Sequence, residues 1–180
     1  MIKTAVIVAA GFGSRLKDKT QSMPKGFLPI EGISLIERSV NNLLSAGIEK
    51  IFIGTGYLAD HYQRFAEKYP QITCIHSENF ANTSSMETLF VMREQLREDF
   101  FLLESDLLYE PDAIKYLIHS SDTILASGTT HSNDEVYIQA ASDNTLQKMS
   151  KDASQLTHIS AELVGITAIS QASYQTMCEL

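Results

Sequence analysis

A short apolar run that leads directly into a glycine-rich loop constrains this chain more than any other feature of its sequence. The run is Thr4–Ala9, and Gly11 and Gly13 follow it closely. Continuous apolar runs of this length are typical of strands that are buried on both faces of a parallel sheet. Because ligands of open α/β sheets bind beyond the carboxyl ends of the strands, the loop is predicted to lie at a ligand site.

Strand and helix signals alternate along the first two thirds of the chain. Apolar runs predict further strands over Lys50–Thr55, Ile72–His76, 100–103 and 123–126. Apolar residues at helical spacing predict helices over 34–46, 58–68, 84–96 and 111–119. Ser34 is the expected N-cap of the first helix, with Glu37 three residues further on and Gly47 after its end. The alternation predicts an α/β fold with a Rossmann-like, doubly wound and mostly parallel sheet.

The spacing of the apolar residues changes after Gly128. Short runs bounded by turn residues predict strands over 136–141, 145–150 and 163–169. These strands predict a mixed or antiparallel extension of the sheet in the C-terminal third of the chain. Since the sequence contains no repeat, linker or low-complexity segment, we expect residues 1–180 to form a single domain.

Composition restricts the classes of partner and compartment. The net charge is −8 and no long basic run is present, so we expect no nucleic-acid partner. Cys74 and Cys178 are far apart in sequence and form no CxxC pair, which is typical of a reducing cytoplasm. The apolar run near the start is too short for a signal peptide or a membrane span. We therefore expect a cytoplasmic protein without membrane insertion, while the oligomeric state stays open.

The glycine-rich loop has the chemistry of a phosphate site. It runs Ala9-Ala10-Gly11-Phe12-Gly13-Ser14-Arg15-Leu16, and Pro24-Lys25 follow it. Glycines let the backbone approach a phosphate, whose oxygens Arg15 can hold as a fork and Lys25 as a point charge. Leu16 stands where a dinucleotide fingerprint has its third glycine, and no Gly-Lys-Ser/Thr of a Walker loop is present. The alternative is a strand-to-helix turn that merely requires glycine.

A carboxylate follows the predicted fourth strand. Asp106 comes just past 100–103, and Glu104 lies on the strand as the weaker candidate. Mg²⁺ prefers carboxylate oxygens and substrate phosphates, so Asp106 is predicted to be a ligand of Mg²⁺. The alternative is a turn aspartate that caps the helix beginning near Pro111.

Together, the loop and the downstream P-K-x-x-L-P motif at 24–29 resemble the nucleotidyltransferase family that includes sugar-phosphate nucleotidylyltransferases. The segment 79–89 resembles a small-acceptor branch of that family, the phosphocholine and 2-aminoethylphosphonate cytidylyltransferases. In that branch an N-x-x-S-[LM] pattern opens a helix at this place. A cluster of helix N-cap residues is the alternative interpretation of the same segment, and both can hold at once.

The resemblance implies a role for each group of residues. It implies that the nucleotide is bound by Ala9, Ala10, Gly11, Gly13 and Ser14. It implies that base, ribose or acceptor is contacted by Asn82, Ser84 and Ser85. The catalytic group would be Arg15, Lys25 and Asp106, with Mg²⁺ on Asp106.

The acceptor side rests on the last third of the chain. Segments 134–137, 149–152 and 161–166 resemble the same branch, which implies that Glu162 and Gly165 lie on its acceptor-side strand. A choline head is best held by aromatic walls, but the chain has no Trp and carries Val136 where choline-using relatives are expected to have an aromatic residue. A primary ammonium has three N–H donors, which Glu135 and Glu162 can accept. Surface solvation is the alternative for both glutamates.

The expected reaction is therefore nucleotidyl transfer from CTP, or another NTP, to a small phosphonate or phosphate acceptor. 2-Aminoethylphosphonate is the favoured acceptor, and phosphocholine or a sugar 1-phosphate is the alternative. Two alternatives come from other classes: a nucleotide-sensing module of the same fold, and a dehydrogenase with an atypical loop. The dehydrogenase would need an acidic residue after the strand Lys50–Thr55, and none is found there. The resemblance also implies that residues 1–180 lack the C-terminal end of the family domain, with its further acidic metal ligand.

Overall fold

The computed structural model describes residues 1–13, 20–130 and 136–179. The density of internal contacts divides the chain into two compact units, Met1–Thr123 with Thr167–Leu180, and Ile124–Ile166. Within the described ranges, no helix combines the length and the apolar character needed to cross a membrane. Cys74 and Cys178 are free thiols in the same ranges.

Strands and helices alternate in the first unit as predicted. Its strands are β1 Thr4–Ala9, β2 Pro29–Ile30, β3 Ile33–Ser34, β4 Lys50–Thr55, β5 Ile72–His76 and β6 Phe100–Glu104. Its helices are α1 Leu35–Ser45, α2 Ala59–Ala66, α3 Ser85–Phe90, α4 Asp112–Leu117 and α5 Gln171–Glu179, with a short 3₁₀ helix over Lys25–Phe27.

The long strands of the first unit form a parallel sheet in the order β5-β4-β1-β6. From β1 the chain adds β4 and β5 on one side, and then returns to add β6 on the other side. This reversal makes the end of β1 a topological switch point, where ligands of such sheets bind. The strand register sets Val8 opposite Glu104 and Ala9 opposite Thr55, so three strands end at one edge. The doubly wound arrangement predicted from the sequence is confirmed.

One core cluster shows why the strands are apolar along their whole length. Val6 of β1 and Phe100 of β6 are fully buried and pack with Leu89 of α3 and Tyr174 of α5. The Tyr174 hydroxyl donates to the backbone carbonyl of Leu89 at 2.6 Å, so its polar end is satisfied inside the core. The cluster therefore packs α3 and α5 against β1 and β6.

The second unit is built from antiparallel pairs. Strands β8 Tyr137–Ala140 and β9 Leu146–Ser150 form a hairpin, and β8 also pairs with the start of β10, Ala161–Ile169. Strand β7, Thr123–Ser127, pairs with β10 as well. A short 3₁₀ helix, Ala153–Gln155, follows the hairpin. The predicted antiparallel extension is confirmed, although β10 begins two residues earlier than expected.

All four predicted helices are shorter than their apolar spacing predicted, and for α2 and α3 the backbone shows the reason. Helix α2 begins after Leu58, because that residue has left-handed backbone angles, with φ of 52°. Helix α3 ends at Phe90, since Met92 and Arg93 bond to carbonyls three residues back, as in a 3₁₀ turn. The segment to residue 96 therefore buries its apolar side chains as a series of turns.

The hairpin of β2 and β3 was not predicted. Its two-residue loop, Glu31 and Gly32, has positive φ at both positions, 51° and 80°, as a type I′ turn requires. Arg38 donates to the backbone carbonyl of Ile30 at 2.6 Å and fixes the hairpin to α1. The hairpin thus connects the 3₁₀ helix Lys25–Phe27 to α1.

The N-cap of α1 gives a first testable prediction. Ser34 accepts a hydrogen bond from the backbone N–H of Glu37 at 3.3 Å, as the sequence indicated. We expect Ser34→Ala to lower the free energy of unfolding by about 1 kcal/mol, because one N–H of the first turn loses its partner. Urea unfolding followed by circular dichroism measures this. Ser45→Ala, at the exposed last residue of the same helix, is the matched control, and an equal effect of the two changes would contradict the cap.

Candidate functional site

An ion pair joins two residues that the sequence analysis selected independently. The Lys25 ammonium, on the 3₁₀ helix that follows the loop, contacts the Asp106 carboxylate just after β6. The side chains keep 26% and 25% of their surface exposed, so both remain accessible to a ligand. A cation for phosphate and a carboxylate for metal therefore lie at the switch point of the sheet.

Gly13 makes room for the lysine. Its backbone is left-handed, with φ of 64°, and a Cβ at this position would lie 2.8 Å from the Lys25 Cδ. Thr20 donates from its hydroxyl to the Gly13 carbonyl at 3.1 Å. The second glycine of the loop is thus required both for its backbone angles and for the passage of the Lys25 stem.

Gly26 permits a second close approach, which the sequence analysis did not identify. A Cβ on Gly26 would lie 2.9 Å from the Ser105 carbonyl oxygen and 3.0 Å from the Tyr62 hydroxyl. The 3₁₀ helix therefore packs with its backbone against the end of β6. The only sequence signal was a glycine directly after Lys25, and its meaning depends on a contact distant in sequence.

A polar cavity of about 290 Å³ surrounds the ion pair. The loop contributes Ala9, Gly11 and Gly13 to its wall, and the end of β6 contributes Glu104 and Ser105. The rest of the lining is Val8, Lys25, Tyr62, Ser85 and Asp106. Amides, a cation and carboxylates in one small cavity suit a phosphate chain accompanied by a metal ion.

A second cavity of about 280 Å³ continues the first, and its lining includes more apolar groups. Val8, Gly11 and Ser85 line both cavities. The remaining lining residues are Ala10, Phe80, Thr83, Ser84 and Thr88. Ser84 and Ser85 therefore lie beside the loop as predicted, whereas Asn82 is exposed and lines neither cavity.

Aromatic rings flank the loop beside the second cavity. The Phe12 ring lies 5.1 Å from that of Tyr57 and 5.3 Å from that of Phe80, measured between centroids. Gly56 allows Phe80 to approach closely, because a Cβ at position 56 would lie 2.6 Å from the Phe80 Cβ. These rings escaped the sequence analysis, because isolated aromatic residues usually belong to the core. Here they offer a flat apolar face next to the loop.

The residues present fit a magnesium ion that shares its ligands with a substrate. Among residues 1–13, 20–130 and 136–179, no three His, Cys, Asp or Glu side chains form an all-protein metal cage. Asp106, with Glu104 in the same cavity, supplies one or two carboxylates instead. Mg²⁺ is commonly held in this way, with waters and substrate phosphates completing its octahedron. The assignment of Mg²⁺ to Asp106 stays a prediction.

Several predicted site residues fall elsewhere. Ser14, Arg15 and Glu135 lie outside the described residues. Glu162 belongs to the second unit and is buried, with 3% of its surface exposed. Its Oε2 accepts hydrogen bonds from the backbone N–H and the hydroxyl of Thr130, both at 2.8 Å.

Gly165 lies in the middle of β10 with φ of 90°, a left-handed conformation that favours glycine. This conformation gives a backbone reason for the glycine that is independent of any ligand. An acceptor role for Glu135, Glu162 and Gly165 therefore stays a prediction.

Comparison with protein families gives a match over most of the chain. The family model described as "MobA-like NTP transferase domain" matches residues 5–163. The match includes the loop, Lys25 and Asp106, together with most of the second unit.

Several curated relatives of the chain are cytidylyltransferases. A 2-aminoethylphosphonate cytidylyltransferase of Lancefieldella rimae is 28% identical over 111 residues, which cover 61% of this chain and 45% of the relative. A choline-phosphate cytidylyltransferase of Haemophilus influenzae is 36% identical over 104 residues, which cover 58% of this chain and 44% of the relative. A CTP:phosphoglutamine cytidylyltransferase of Campylobacter jejuni is 28% identical over 126 residues, which cover 67% of this chain and 50% of the relative. The matched segments thus span half or less of each relative's length.

Solved structures support the fold. The inositol-1-phosphate CTP transferase of T. maritima superposes with a TM-score of 0.85 at 17% identity, covering 99% of this chain and 75% of that one. The CTP:phosphocholine cytidylyltransferase of Streptococcus pneumoniae gives a TM-score of 0.79 at 20% identity, with the same coverages. The nucleotidyltransferase type of the predicted fold is therefore confirmed.

The two loop glycines differ in a way that stability measurements can detect. We expect Gly13→Ala to lower the free energy of unfolding by about 1–2 kcal/mol, because φ of 64° is strained for alanine and the new Cβ meets the Lys25 stem. Gly11→Ala is the matched control, since a Cβ there meets nothing within 4 Å. Its effect should stay within about 0.5 kcal/mol. Equal urea midpoints for the two variants would contradict this account of Gly13.

Proposed function

The chain belongs to the MobA-like NTP transferase domain family, and we propose that it transfers a cytidylyl group from CTP to a small phosphonate or phosphate acceptor. The observation that carries the proposal is the Lys25–Asp106 ion pair beside the glycine loop, at the switch point of the sheet. Two groups with opposite charge and distinct uses, one for phosphate and one for metal, share that cavity. Family membership favours nucleotidyl transfer over the dehydrogenase alternative.

The two adjoining cavities suit the two halves of a nucleotide. The polar cavity, with Lys25 and the loop amides, fits the triphosphate. The second cavity, with Phe80 in its wall, fits the base, since an aromatic face stacks on any planar ring. Ser85 lines both, which suits the ribose between base and phosphates. CTP is the proposed nucleotide because the curated relatives named above are cytidylyltransferases.

The reaction we propose is a single in-line displacement. An acceptor oxygen, already ionised near neutral pH, forms a bond to the α-phosphorus as the bond from that phosphorus to the bridging oxygen breaks. Pyrophosphate takes the electron pair and leaves, so no general base is required. Lys25 binds the triphosphate, and Arg15 holds the leaving pyrophosphate. Catalysis then consists mostly of positioning and charge neutralisation.

Asp106 would hold Mg²⁺, with Glu104 as the second candidate ligand. The chemistry that Mg²⁺ supplies, when bound, is neutralisation of the triphosphate and polarisation of the α-phosphorus. Without ligands the Lys25 ammonium neutralises the Asp106 carboxylate. The lysine must therefore exchange this partner for phosphate oxygens when the nucleotide enters, which frees the carboxylate for the metal.

The acceptor we propose is 2-aminoethylphosphonate. Relatives in this family act on amine-bearing acceptors of both kinds, aminoethylphosphonate and choline phosphate. Chemistry at nitrogen separates them, because a trimethylated nitrogen depends on aromatic faces and a primary ammonium depends on oxygen acceptors. The chain has no Trp and has Val136 beside Glu135. These features favour the primary amine.

A nucleotide-sensing module is the second candidate, since it would use the same cavities without turnover. A pyrophosphate-release screen separates the two. The four NTPs would be tested against aminoethylphosphonate, phosphocholine and sugar 1-phosphates, together with calorimetric binding of CTP. Release of pyrophosphate with CTP and one acceptor supports the transferase. Binding of CTP without release, for every acceptor, would support the sensing module instead.

Asp106 provides a prediction for the metal. We expect Asp106→Asn to reduce turnover by at least about a hundredfold and to weaken Mg²⁺ binding, because the amide keeps the shape and loses the charge. Asp112→Asn is the matched control. Asp112 is an exposed carboxylate on the first turn of α4, where it pairs with Lys115. Its activity should be unchanged. Survival of activity and of Mg²⁺ affinity in Asp106→Asn would reduce Asp106 to a turn residue.

The acceptor preference gives a separate prediction. We expect kcat/KM for 2-aminoethylphosphonate to exceed that for phosphocholine by about tenfold or more, because carboxylates that pair with a primary ammonium lose those hydrogen bonds to choline. Steady-state kinetics with CTP at saturation measures the ratio. A preference for phosphocholine would overturn the acceptor and leave cytidylyl transfer standing.

A further inference from the structure

We propose that Tyr62 is a positioning residue that sets the separation of Lys25 and Asp106, acting through the residues next to each of them. The proposal rests on the proposed function, because it assigns those two side chains to phosphate and to metal. Tyr62 lies on α2 and lines the same cavity, although nothing in the expected chemistry requires a tyrosine.

One hydroxyl group connects the two segments. A Cβ on Gly26 would lie 3.0 Å from the Tyr62 hydroxyl, and hydrogen bonding with the Ser105 side chain and the Gly26 backbone lowers the pKa of that hydroxyl. Gly26 follows Lys25 in the chain, and Ser105 precedes Asp106. A single atom of Tyr62 therefore interacts with the residue next to each member of the ion pair.

Tyr62 itself is held rigidly. Only 1% of its surface is exposed, and its ring meets the Phe27 ring edge-on with 5.0 Å between centroids. Phe27 is the last residue of the 3₁₀ helix that carries Lys25. The ring of Tyr62 thus packs against that 3₁₀ helix, and its hydroxyl contacts the same helix through Gly26.

The backbone of Gly26 lies close to both Tyr62 and Ser105. A Cβ at residue 26 would lie 3.0 Å from the Tyr62 hydroxyl and 2.9 Å from the Ser105 carbonyl oxygen, closer than side chains normally approach. Glycine therefore allows the backbone to reach the hydroxyl directly. Three groups, namely a tyrosine hydroxyl, a glycine amide and a serine side chain, form a compact bridge under the ion pair.

Tyr62 does not act as an acid or a base in this role. Burial raises the pKa of Tyr62 to about 12; the hydrogen bond with Ser105 lowers that pKa, and the charge of Asp106 raises it. The hydroxyl keeps its proton throughout the neutral pH range. Loss of the hydroxyl in Tyr62→Phe should therefore leave the pH profile of turnover unchanged. A catalytic acid or base would change it, which separates positioning from proton transfer.

Loss of the hydroxyl should disturb the site more than the fold. In Tyr62→Phe the ring still packs on Phe27, but the buried Gly26 N–H and the Ser105 side chain lose their common partner. The two segments are then free to separate. Misplacement of a catalytic group by about 1 Å can reduce a rate by about a hundredfold.

The chain offers a matched control at Tyr109. Burial also raises its pKa to about 12, and its hydroxyl shares a hydrogen bond with the Ser39 hydroxyl at 2.9 Å. Tyr109→Phe therefore removes a half-buried, hydrogen-bonded tyrosine hydroxyl that touches neither Gly26 nor Ser105. Ser105→Ala is the second test variant, because it removes one end of the bridge and leaves Tyr62 in place.

The test measures Mn²⁺ binding with a non-hydrolysable CTP analogue, then kcat and KM, and urea stability. In Tyr62→Phe and Ser105→Ala we expect the Kd of Mn²⁺ to rise and kcat to fall by about 10- to 100-fold, with KM for CTP changed little. In Tyr109→Phe these values should stay within about twofold, despite a similar loss of stability. Equal behaviour of Tyr62→Phe and Tyr109→Phe would overturn the proposal.

A crystal structure of Tyr62→Phe without ligands separates this inference from the proposed function. We expect the Lys25–Asp106 contact to be lengthened or lost, whatever reaction the protein catalyses. An unchanged ion pair and an unchanged 3₁₀ helix would overturn the positioning role of Tyr62. Failure of the wild-type protein to release pyrophosphate from any NTP would instead overturn the proposed function alone.

Discussion

Close approach of backbone around one ion pair is the constraint on which the rest of this site depends. Lys25 and Asp106 come from segments far apart in sequence, and they meet because β1 and β6 are neighbours in the sheet. Glycine at positions 13 and 26 lets the lysine stem pass the loop and lets its helix reach the end of β6. The parallel sheet supplies the meeting point, and the glycines remove the side chains that would keep the two charges apart.

Local sequence patterns predicted the features that depend on neighbouring residues alone. Continuous apolar runs indicated β1, β4 and β5, and the loop together with Asp106 indicated phosphate and metal chemistry. Features that depend on tertiary contacts could not be predicted, among them the β2–β3 hairpin and the shortening of α3 to Phe90. Tyr62 is an instructive case, because at helical spacing it is indistinguishable from a core aromatic. Its polar role becomes visible only when Gly26 and Ser105 are found beside its hydroxyl.

The proposed chemistry is divided between the two units of the chain. The described nucleotide-side residues all belong to the first unit, where the loop, Lys25 and Asp106 surround one cavity. The predicted acceptor residues, including Glu162 and Gly165, belong to the second unit, which is built from antiparallel strands. The proposed nucleotide chemistry therefore rests on the parallel sheet of the first unit, and the proposed acceptor chemistry on the antiparallel strands of the second.

The pairing of β1 with β6 also affects when binding ability arises during folding. Thr4 and Phe100 become neighbours only after a loop of roughly 100 residues has closed, whereas β4 and β5 join the sheet across shorter loops. Because the entropy cost of loop closure is incurred before the stabilising contacts form, we expect Lys25 and Asp106 to come together late in folding. A ligand that requires both charges therefore binds the native state and does not bind the partly folded compact states that precede it. Ligand binding therefore stabilises the native state by mass action and does not stabilise partly folded chains.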